Sequence, residues 1–229
     1  LFRSLPLLDL KWERSTTLNF GLDMGLFNDR VTIIGDYFVR DVKDKLANQT
    51  LPLWTGFSSI TTNNGTLRNK GLELQVNSDI VKTNDWNWNL GLTYYSVKNY
   101  AHKLPDNGVE NNRQGGQEIY DPETGESKYV GGLQEGKRVG YDLVTAYVFD
   151  GVYQTQEDIE EHSDRVVEFA AKPETRFLGD TRWKDRNDDG VINHLDRKVM
   201  GRTTPDFTGG LTSDLTYKNF NLYVKTDFA

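Results

Sequence analysis

Hydrophobic and polar residues alternate along several separate stretches of this chain. Between Thr17 and Leu26, leucine, phenylalanine and methionine occupy every second position, and small or polar residues occupy the positions between them. The alternation recurs in five further stretches, which are Arg30–Val42, Lys70–Asp79, Trp86–Tyr95, Phe207–Tyr217 and Phe220–Lys225. A period of two residues is typical of a strand with one apolar and one polar face. The pattern therefore predicts about six β-strands, although Ile34 and Phe38 interrupt it in the second stretch.

These stretches are about 10 residues long, which suits a tilted strand that crosses a bilayer. Their polar face carries Asp, Glu, Asn and Lys, as a water-filled lumen requires. Aromatic residues lie near the strand ends, as they do at membrane interfaces; they are Trp86, Trp88, Tyr217 and Phe220. An antiparallel sheet in a soluble protein, with its apolar side inward, gives the same alternation. Alternation alone leaves both interpretations open.

The lengths of the predicted connections favour the barrel. Asn28-Asp29, Lys82–Asp85 and Lys218-Asn219 are short turns, whereas Lys43–Asn69 and Ala101–Pro205 are long. Outer-membrane barrels combine short periplasmic turns with long external loops. We therefore predict an all-β fold, an antiparallel transmembrane β-barrel segment. Residues 1–100 would form barrel strands and one outer loop, residues 101–205 a long extracellular excursion, and residues 206–229 a barrel hairpin.

Composition excludes several other classes of protein. Hydrophobic residues make up 36% of the sequence, and no stretch approaches the roughly 20 apolar residues of a spanning helix. There is no cysteine, which excludes disulfide frameworks and thiolate metal sites. The net charge of −7 argues against a nucleic-acid partner, which would need a basic surface. Because neither end of the sequence has the features of a natural terminus, we expect a piece of a longer protein.

One segment, Asp185–Asp196, has the spacing of a calcium-binding loop. Oxygen-bearing side chains occupy positions 1, 3, 5 and 12, glycine occupies position 6, and position 7 offers its backbone carbonyl. The predicted metal ligands are Asp185, Asn187, Asp189, Asp196 and the carbonyl of Val191. The aspartate at position 12 is shorter than the usual glutamate, which predicts weaker closure around Ca²⁺. The alternative is a turn stabilised by Asx and Gly residues without a metal.

The sequence contains no pattern that indicates an enzyme. His102, His162 and His194 are far apart and form no pair with metal-ligand spacing. No nucleophile and base, and no paired carboxylates, occur at the spacing of a known catalytic motif. We therefore predict a protein without catalytic residues.

Several longer motifs resemble the SusC/RagA family of TonB-dependent outer-membrane transporters. They occur in the family's order and cover nearly the whole chain: Asp9–Glu13 (DLKWE), Leu18–Asp23, Asn69–Leu74 (NKGLEL), Tyr147–Glu157 (YVFDGVYQTQE), Gly179–Gly201, Pro205–Phe207 and Tyr217–Phe220. Leu7-Leu8 departs from the polar lead-in of the family. The stretch Pro105–Gly140 matches poorly and is expected to be a variable outer loop.

The resemblance implies a location in the outer membrane of a Gram-negative bacterium and a role in nutrient import. In such transporters a plug, absent from these residues, fills the barrel and contacts TonB, and a SusD-like surface lipoprotein helps to capture oligosaccharides or peptides. By this resemblance the chain is a fragment of a large plugged barrel and would supply about six late barrel strands and their outer loops. The alternative function is that of a surface calcium-binding domain for glycan binding or adhesion.

Overall fold

The computed structural model describes residues 10–169 and 175–229, which contain fourteen strands and one α-helix. The strands are β1 Arg14–Leu26, β2 Val31–Thr50, β3 Ser59–Lys82, β4 Trp86–Lys103, β5 Gln117–Asp121, β6 Glu126–Val130, β7 Leu143–Ala146, β8 Phe149–Val152, β9 Val167–Glu168, β10 Thr181–Trp183, β11 Val191–Ile192, β12 Lys198–Arg202, β13 Thr208–Tyr217 and β14 Phe220–Phe228. The helix α1 spans Gln156–Arg165, and short 3₁₀ helices span Leu53–Thr55, Glu110–Asn112 and His194–Asp196. None of the helices in these ranges has the length and apolar character needed to cross a membrane.

Six long strands form one antiparallel sheet in the order β1-β2-β3-β4-β13-β14. Each of the six alternating segments lies in one of these strands, so the predicted strands and the predicted all-β antiparallel fold are confirmed. Strand β4 pairs with β13, which means that the chain leaves the sheet after β4 and returns beside it. Within the described residues the sheet is open, and β1 and β14 are its two edges.

The three short turns occur where the sequence predicts them. Between β1 and β2, Phe27, Asn28 and Asp29 have φ angles of 55°, 56° and 59°, a left-handed conformation that asparagine and aspartate tolerate better than most residues. Between β13 and β14, Lys218 also has a positive φ, and its backbone N–H donates to the carbonyl of Asp85 at 2.8 Å. This hydrogen bond joins two of the turns at one end of the sheet.

The long loop predicted at Lys43–Asn69 is wrong. Strand β2 continues to Thr50 and β3 begins at Ser59, so only eight residues, 51–58, connect them. The hydrogen-bond register between the strands is irregular on both sides of Lys45. Just before this irregularity on β2, the guanidinium of Arg68 donates two hydrogen bonds, of 2.7 and 2.8 Å, to the carboxylate of Asp41 and so joins the two strands. Both faces of this part of the hairpin are polar, so the alternation stops although the backbone pairing continues.

Phe38, which breaks the alternation of β2, has a packing role. Its ring lies on the polar face directly over Gly71 of β3, and a Cβ at Gly71 would approach the ring atoms to 2.3 Å. An aromatic ring that covers a strand glycine fills the gap left by the missing side chain. Phe38 therefore interrupts the alternation because its ring covers Gly71 on the neighbouring strand.

Gly209→Ala is expected to lower the free energy of unfolding by about 1–3 kcal/mol, because it overpacks the contact between β4 and β13. An added Cβ would lie 2.5 Å from the carbonyl oxygen of Thr93 and 2.4 Å from the ring of Phe228. The matched control is Gly35→Ala, whose Cβ would meet nothing closer than Leu74 at 3.7 Å. Denaturant titration of the intact protein tests this, and equal losses for both variants would contradict the packing argument.

Residues 114–133 and 140–203 form a second compact unit, separate from the unit that contains the six-stranded sheet. Its described part is built from two-stranded pairs, β5–β6, β7–β12, β8–β10 and β9–β11, together with α1. Tyr153, Ile159 and Ile192 are at most 1% exposed and form its core. Helix α1 begins with a capping box, in which the Thr155 side chain accepts from the Asp158 N–H and Asp158 accepts from the Thr155 N–H.

Candidate functional site

The strand register places the apolar residues of all six long strands on one face of the sheet. Phe20 pairs with Tyr37, and Tyr37 pairs with Leu72, so these three side chains share that face. Several large side chains on the face are between 36% and 62% exposed, and they include Leu18, Phe20, Leu22, Leu72, Leu92, Leu211 and Leu222. An apolar surface of this extent must be covered by lipid or by protein.

Aromatic residues bound the apolar face at both ends. At the end with the short turns, the rings of Trp86 and Tyr217 lie 4.2 Å apart; toward the other end, Tyr94 stacks on Phe207 at 5.7 Å. Trp86 and Tyr94 are eight residues apart on β4, or about 26 Å at 3.3 Å per residue. The apolar band of an outer-membrane barrel is about 25 Å tall and has an aromatic girdle at each interface. At the tilt of roughly 35–45° that barrel strands have, this distance along the strand projects to about 20 Å across the bilayer, close to the spacing of the girdles.

The apolar stretches are staggered from strand to strand. In the hydrogen-bond register Val31, the first residue of β2, pairs with Ser78, and Ser78 pairs with Leu90. Leu90 lies inside the apolar stretch of β4, whereas Val31 lies at the end of the stretch on β2. A level apolar band can cross all these strands only if the strands are tilted relative to it, as barrel strands are.

The opposite face of the sheet is polar and carries an excess of carboxylates. Asp36 lies directly opposite Glu73 on the neighbouring strand, and Asn19 donates to Asp36 at 2.9 Å. Together with Thr93, Tyr95 and other residues, these two carboxylates line a groove of about 690 Å³. Further acidic residues at polar positions of the strands are Asp23, Asp79, Asp214 and Asp227. This face can be solvated or can contact polar groups, but it cannot face hydrocarbon.

In the second unit, the residues predicted to bind calcium at positions 1 to 7 of the loop form hydrogen bonds within one turn. The N–H of Gly190 donates to Asp185 Oδ2 at 2.7 Å, and Asn187 Nδ2 donates to Asp189 Oδ2 at 2.8 Å. The N–H of Val191 donates to the other oxygen of Asp189 at 2.8 Å. Gly190 has a φ of 79°, a conformation that glycine adopts at low cost. The predicted turn therefore forms, and hydrogen bonds to the side chains at positions 1 and 5 hold it together.

Asp196, the residue predicted at position 12, has a different environment. Its side chain is completely buried, and its two oxygens accept from the backbone N–H groups of Arg186 at 2.7 Å and Asn193 at 2.8 Å. It closes the capping box of the 3₁₀ helix His194–Asp196. In the part of the chain that is described, no three His, Cys, Asp or Glu side chains form a cluster that could hold a metal. Asp196 thus does not complete a three-carboxylate set with Asp185 and Asp189.

A buried polar cluster around Glu168 was not apparent from the sequence. Glu168 is 6% exposed and accepts from the hydroxyl of Tyr153 at 3.2 Å and from the N–H of Trp183 at 3.3 Å. His162 Nε2 lies 3.1 Å from it and Arg176 Nε 3.3 Å. Burial, together with the negative charge of Glu168, raises the pKa of Tyr153 to about 12. The Tyr153 hydroxyl therefore keeps its proton and donates a hydrogen bond to the carboxylate.

The one local signal for this cluster is the spacing in α1, where His162 follows the buried Ile159 by three residues and lies on the same helix face. The preceding run Glu157–Glu161 has the composition of a solvated turn, so the sequence does not indicate that this helix face is buried. Ion pairs of the cluster join residues that are 6 and 8 positions apart, and no periodic pattern links them.

The chain matches the sequence profile of the family described as "TonB dependent receptor-like, beta-barrel" over residues 3–225. The chain belongs to this family. Among curated relatives, TonB-dependent receptor P3 of Formosa agariphila is 33% identical over 217 residues, which are 93% of this chain and 20% of that protein. TonB-dependent receptor SusC of Bacteroides thetaiotaomicron is 31% identical over 93% of this chain and 19% of its own length.

Solved structures give the same assignment at the level of fold. The RagAB peptide importer in its "open-open" state aligns over 97% of this chain and 21% of that chain, with a TM-score of 0.58 and 20% identity. The predicted resemblance to SusC/RagA transporters is therefore confirmed. The chain spans about a fifth of the length of these relatives.

Proposed function

We propose that this chain forms part of the barrel wall of a TonB-dependent transporter that imports a nutrient across the outer membrane of a Gram-negative bacterium. The observation that carries the proposal is the apolar face of the six-stranded sheet, bounded by the Trp86–Tyr217 and Tyr94–Phe207 pairs. Two aromatic groups about 20 Å apart across the bilayer on tilted strands, together with the stagger of the apolar stretches, are what we expect if lipid covers this face. The alternative, a surface adhesion or glycan-binding domain, leaves this face without a covering.

The two edges of the sheet support the same proposal. Strands β1 and β14 are 13 and 9 residues long, and among the described residues each pairs on one side only. A long exposed strand edge promotes aggregation, and a backbone edge within hydrocarbon is prohibitive. We infer that further barrel strands pair with both edges. The polar face then lines a lumen that contains the plug through which TonB acts.

We propose that the transported nutrient is an oligosaccharide or a peptide, and that a SusD-like surface lipoprotein helps to capture it. The support is similarity to SusC and to RagAB, which is described as a peptide importer. The groove beside Asp36 and Glu73 carries carboxylates, which repel anionic solutes and accept hydrogen bonds from hydroxyl or ammonium groups. We propose that residues 101–205 lie outside the cell, because they follow the strand end opposite the short turns. The role that we propose for the protein is transport rather than catalysis.

Cysteine substitution followed by labelling with an environment-sensitive fluorophore tests the membrane assignment. This chain has no cysteine of its own, so Leu92→Cys and Thr93→Cys each introduce one label site into this chain of the intact protein. We expect spin-labelled lipids to quench the fluorophore at position 92 by severalfold and to leave the fluorophore at position 93 nearly unchanged. The physical reason is that adjacent strand residues point to opposite faces. Equal quenching at both positions, or none at either, would contradict the barrel proposal.

A further inference from the structure

The loop Asp185–Asp196 contains two buried oxygen atoms that have no hydrogen-bond donor. Asp185 Oδ1 and Asn187 Oδ1 are both inaccessible to solvent and unpartnered, although the second polar atom of each side chain is hydrogen-bonded. Buried polar atoms almost always have a partner, because an unpaired one loses its hydration without compensation. Two such atoms at positions 1 and 3 of a single turn need a common explanation.

Both atoms can only accept, so the missing partner must be a donor or a cation. The turn adds the carboxylate of Asp189 and the carbonyl of Val191, and the four groups supply only oxygen. Oxygen ligands in a flexible loop are typical of Ca²⁺ sites, whereas Mg²⁺ demands a near-ideal octahedron and keeps several waters. The hydrogen bond from the Gly190 N–H to Asp185 Oδ2 fixes this carboxylate, so its unpartnered Oδ1 is positioned before any ion binds. Each oxygen of Asp189 already accepts one hydrogen bond and would bind the ion through a remaining lone pair.

We propose that this loop binds one Ca²⁺ through Asp185 Oδ1, Asn187 Oδ1, the Asp189 carboxylate and the Val191 carbonyl, with water in the remaining positions. Asp196 is a positioning residue in this site, because it is completely buried, closes the capping box of the 3₁₀ helix His194–Asp196 and forms no cluster with the other carboxylates of the loop. With two carboxylates as charged ligands, the site belongs to the weak class, with a Kd of about 10⁻⁴–10⁻³ M as in extracellular calcium modules.

The loop's neighbours show what the ion would stabilise. The carbonyl of Gly190 accepts from the N–H of Val167 at 2.8 Å, and the carbonyl of Ile192 accepts from the N–H of Phe169 at 3.2 Å. The Arg186 side chain donates to the carbonyl of Tyr120 in β5 at 3.4 Å. The loop therefore touches β5 and the segment after α1, so that Ca²⁺ would hold distant parts of the second unit together. The proposal does not depend on the transport function.

Isothermal titration of the intact detergent-purified protein with CaCl₂ tests the site, with MgCl₂ as the comparison. We compare Asp185→Asn with Asp188→Asn, which removes the same charge from an exposed residue of the same loop. Asp188 has a φ of 55°, which asparagine also tolerates. We expect about one Ca²⁺ per chain in the wild type, at least tenfold weaker binding in Asp185→Asn, and less than a threefold change in Asp188→Asn. No saturable Ca²⁺ binding, or equal weakening in both variants, would overturn the proposal.

Protease resistance of the second unit separates a lost ligand from a lost fold. In chelator, the cleavage rates of Asp185→Asn and wild type should agree within about twofold, and 10 mM Ca²⁺ should slow cleavage of the wild type only. Asp196→Asn should cleave faster than wild type with and without Ca²⁺, yet retain Ca²⁺ protection. Loss of that protection in Asp196→Asn would overturn its assignment as a positioning residue, and unchanged cleavage of the wild type on addition of Ca²⁺ would overturn the stabilising role.

Discussion

Replacing Leu22 by arginine is expected to lower the free energy of unfolding in a lipid bilayer by about 2–4 kcal/mol, the cost of arginine near the bilayer midplane on the lipid face of a barrel. Leu22 is the middle of five apolar positions on β1 and is 56% exposed. A guanidinium at this position must either enter hydrocarbon or draw water and headgroups into the bilayer. Urea titration of the intact protein folded in phospholipid vesicles measures the loss.

The matched control is Asp23→Arg, one residue further along the same strand. Asp23 pairs with Ile34 on the polar face, where a long cationic side chain can remain hydrated, so we expect a change below about 1 kcal/mol, as for an exposed charge. The difference between the two variants isolates the lipid face from any general intolerance of arginine in β1. If Leu22→Arg unfolds at the same urea concentration as the wild type, lipid does not cover this face.

The sheet could be predicted from the sequence because its causes are local. A pleated strand sends successive side chains to opposite faces, so contact with lipid on one side is recorded in the sequence as alternation of Leu18, Phe20 and Leu22 with Asn19 and Gly21. Turn residues such as Asn28 then mark where each strand ends. The alternation also restricts the register between neighbouring strands, because a shift by one residue would move every apolar side chain of a strand to the polar face.

The same reasoning failed wherever neither face of a strand is apolar. Beyond Val42 the hairpin of β2 and β3 continues for eight residues on β2, but side chains such as Asn48 and Thr61, whose oxygens lie 3.0 Å apart, are polar on both strands. Hydrogen bonds between backbones leave no periodic trace in the sequence. The predicted loop was too long for this reason.

The second unit was even less predictable, because its strands are short and pair with distant partners. Strand β7 is four residues long and pairs with β12, more than 50 positions away. The calcium-like spacing identified the turn at Asp185–Gly190, since that turn depends on local residue types. It did not reveal that Asp196 is buried between two backbone N–H groups, which depends on how the chain folds back on itself.

Glu168→Ala is expected to destabilise the second unit by about 3–5 kcal/mol, the usual loss when one partner of a buried ion pair is removed. The substitution leaves Arg176, whose side chain is 5% exposed, without its carboxylate. It also leaves the Tyr153 hydroxyl and the Trp183 N–H without their acceptor. Hydrogen exchange of the intact protein, measured on peptides from residues 143–169, should show faster exchange in the variant.

An ion pair within the neighbouring helix α1 provides the control. Glu161 and Arg165 lie 2.7 Å apart, closer than Glu168 and Arg176, but their side chains are 65% and 73% exposed. Water already solvates both charges, so Glu161→Ala is expected to change stability by less than about 0.5 kcal/mol. If exchange quickens equally in both variants, the loss follows from α1 itself and not from the buried cluster. If it quickens only in Glu168→Ala, burial, and not the distance between the charges, determines what each carboxylate contributes to this unit.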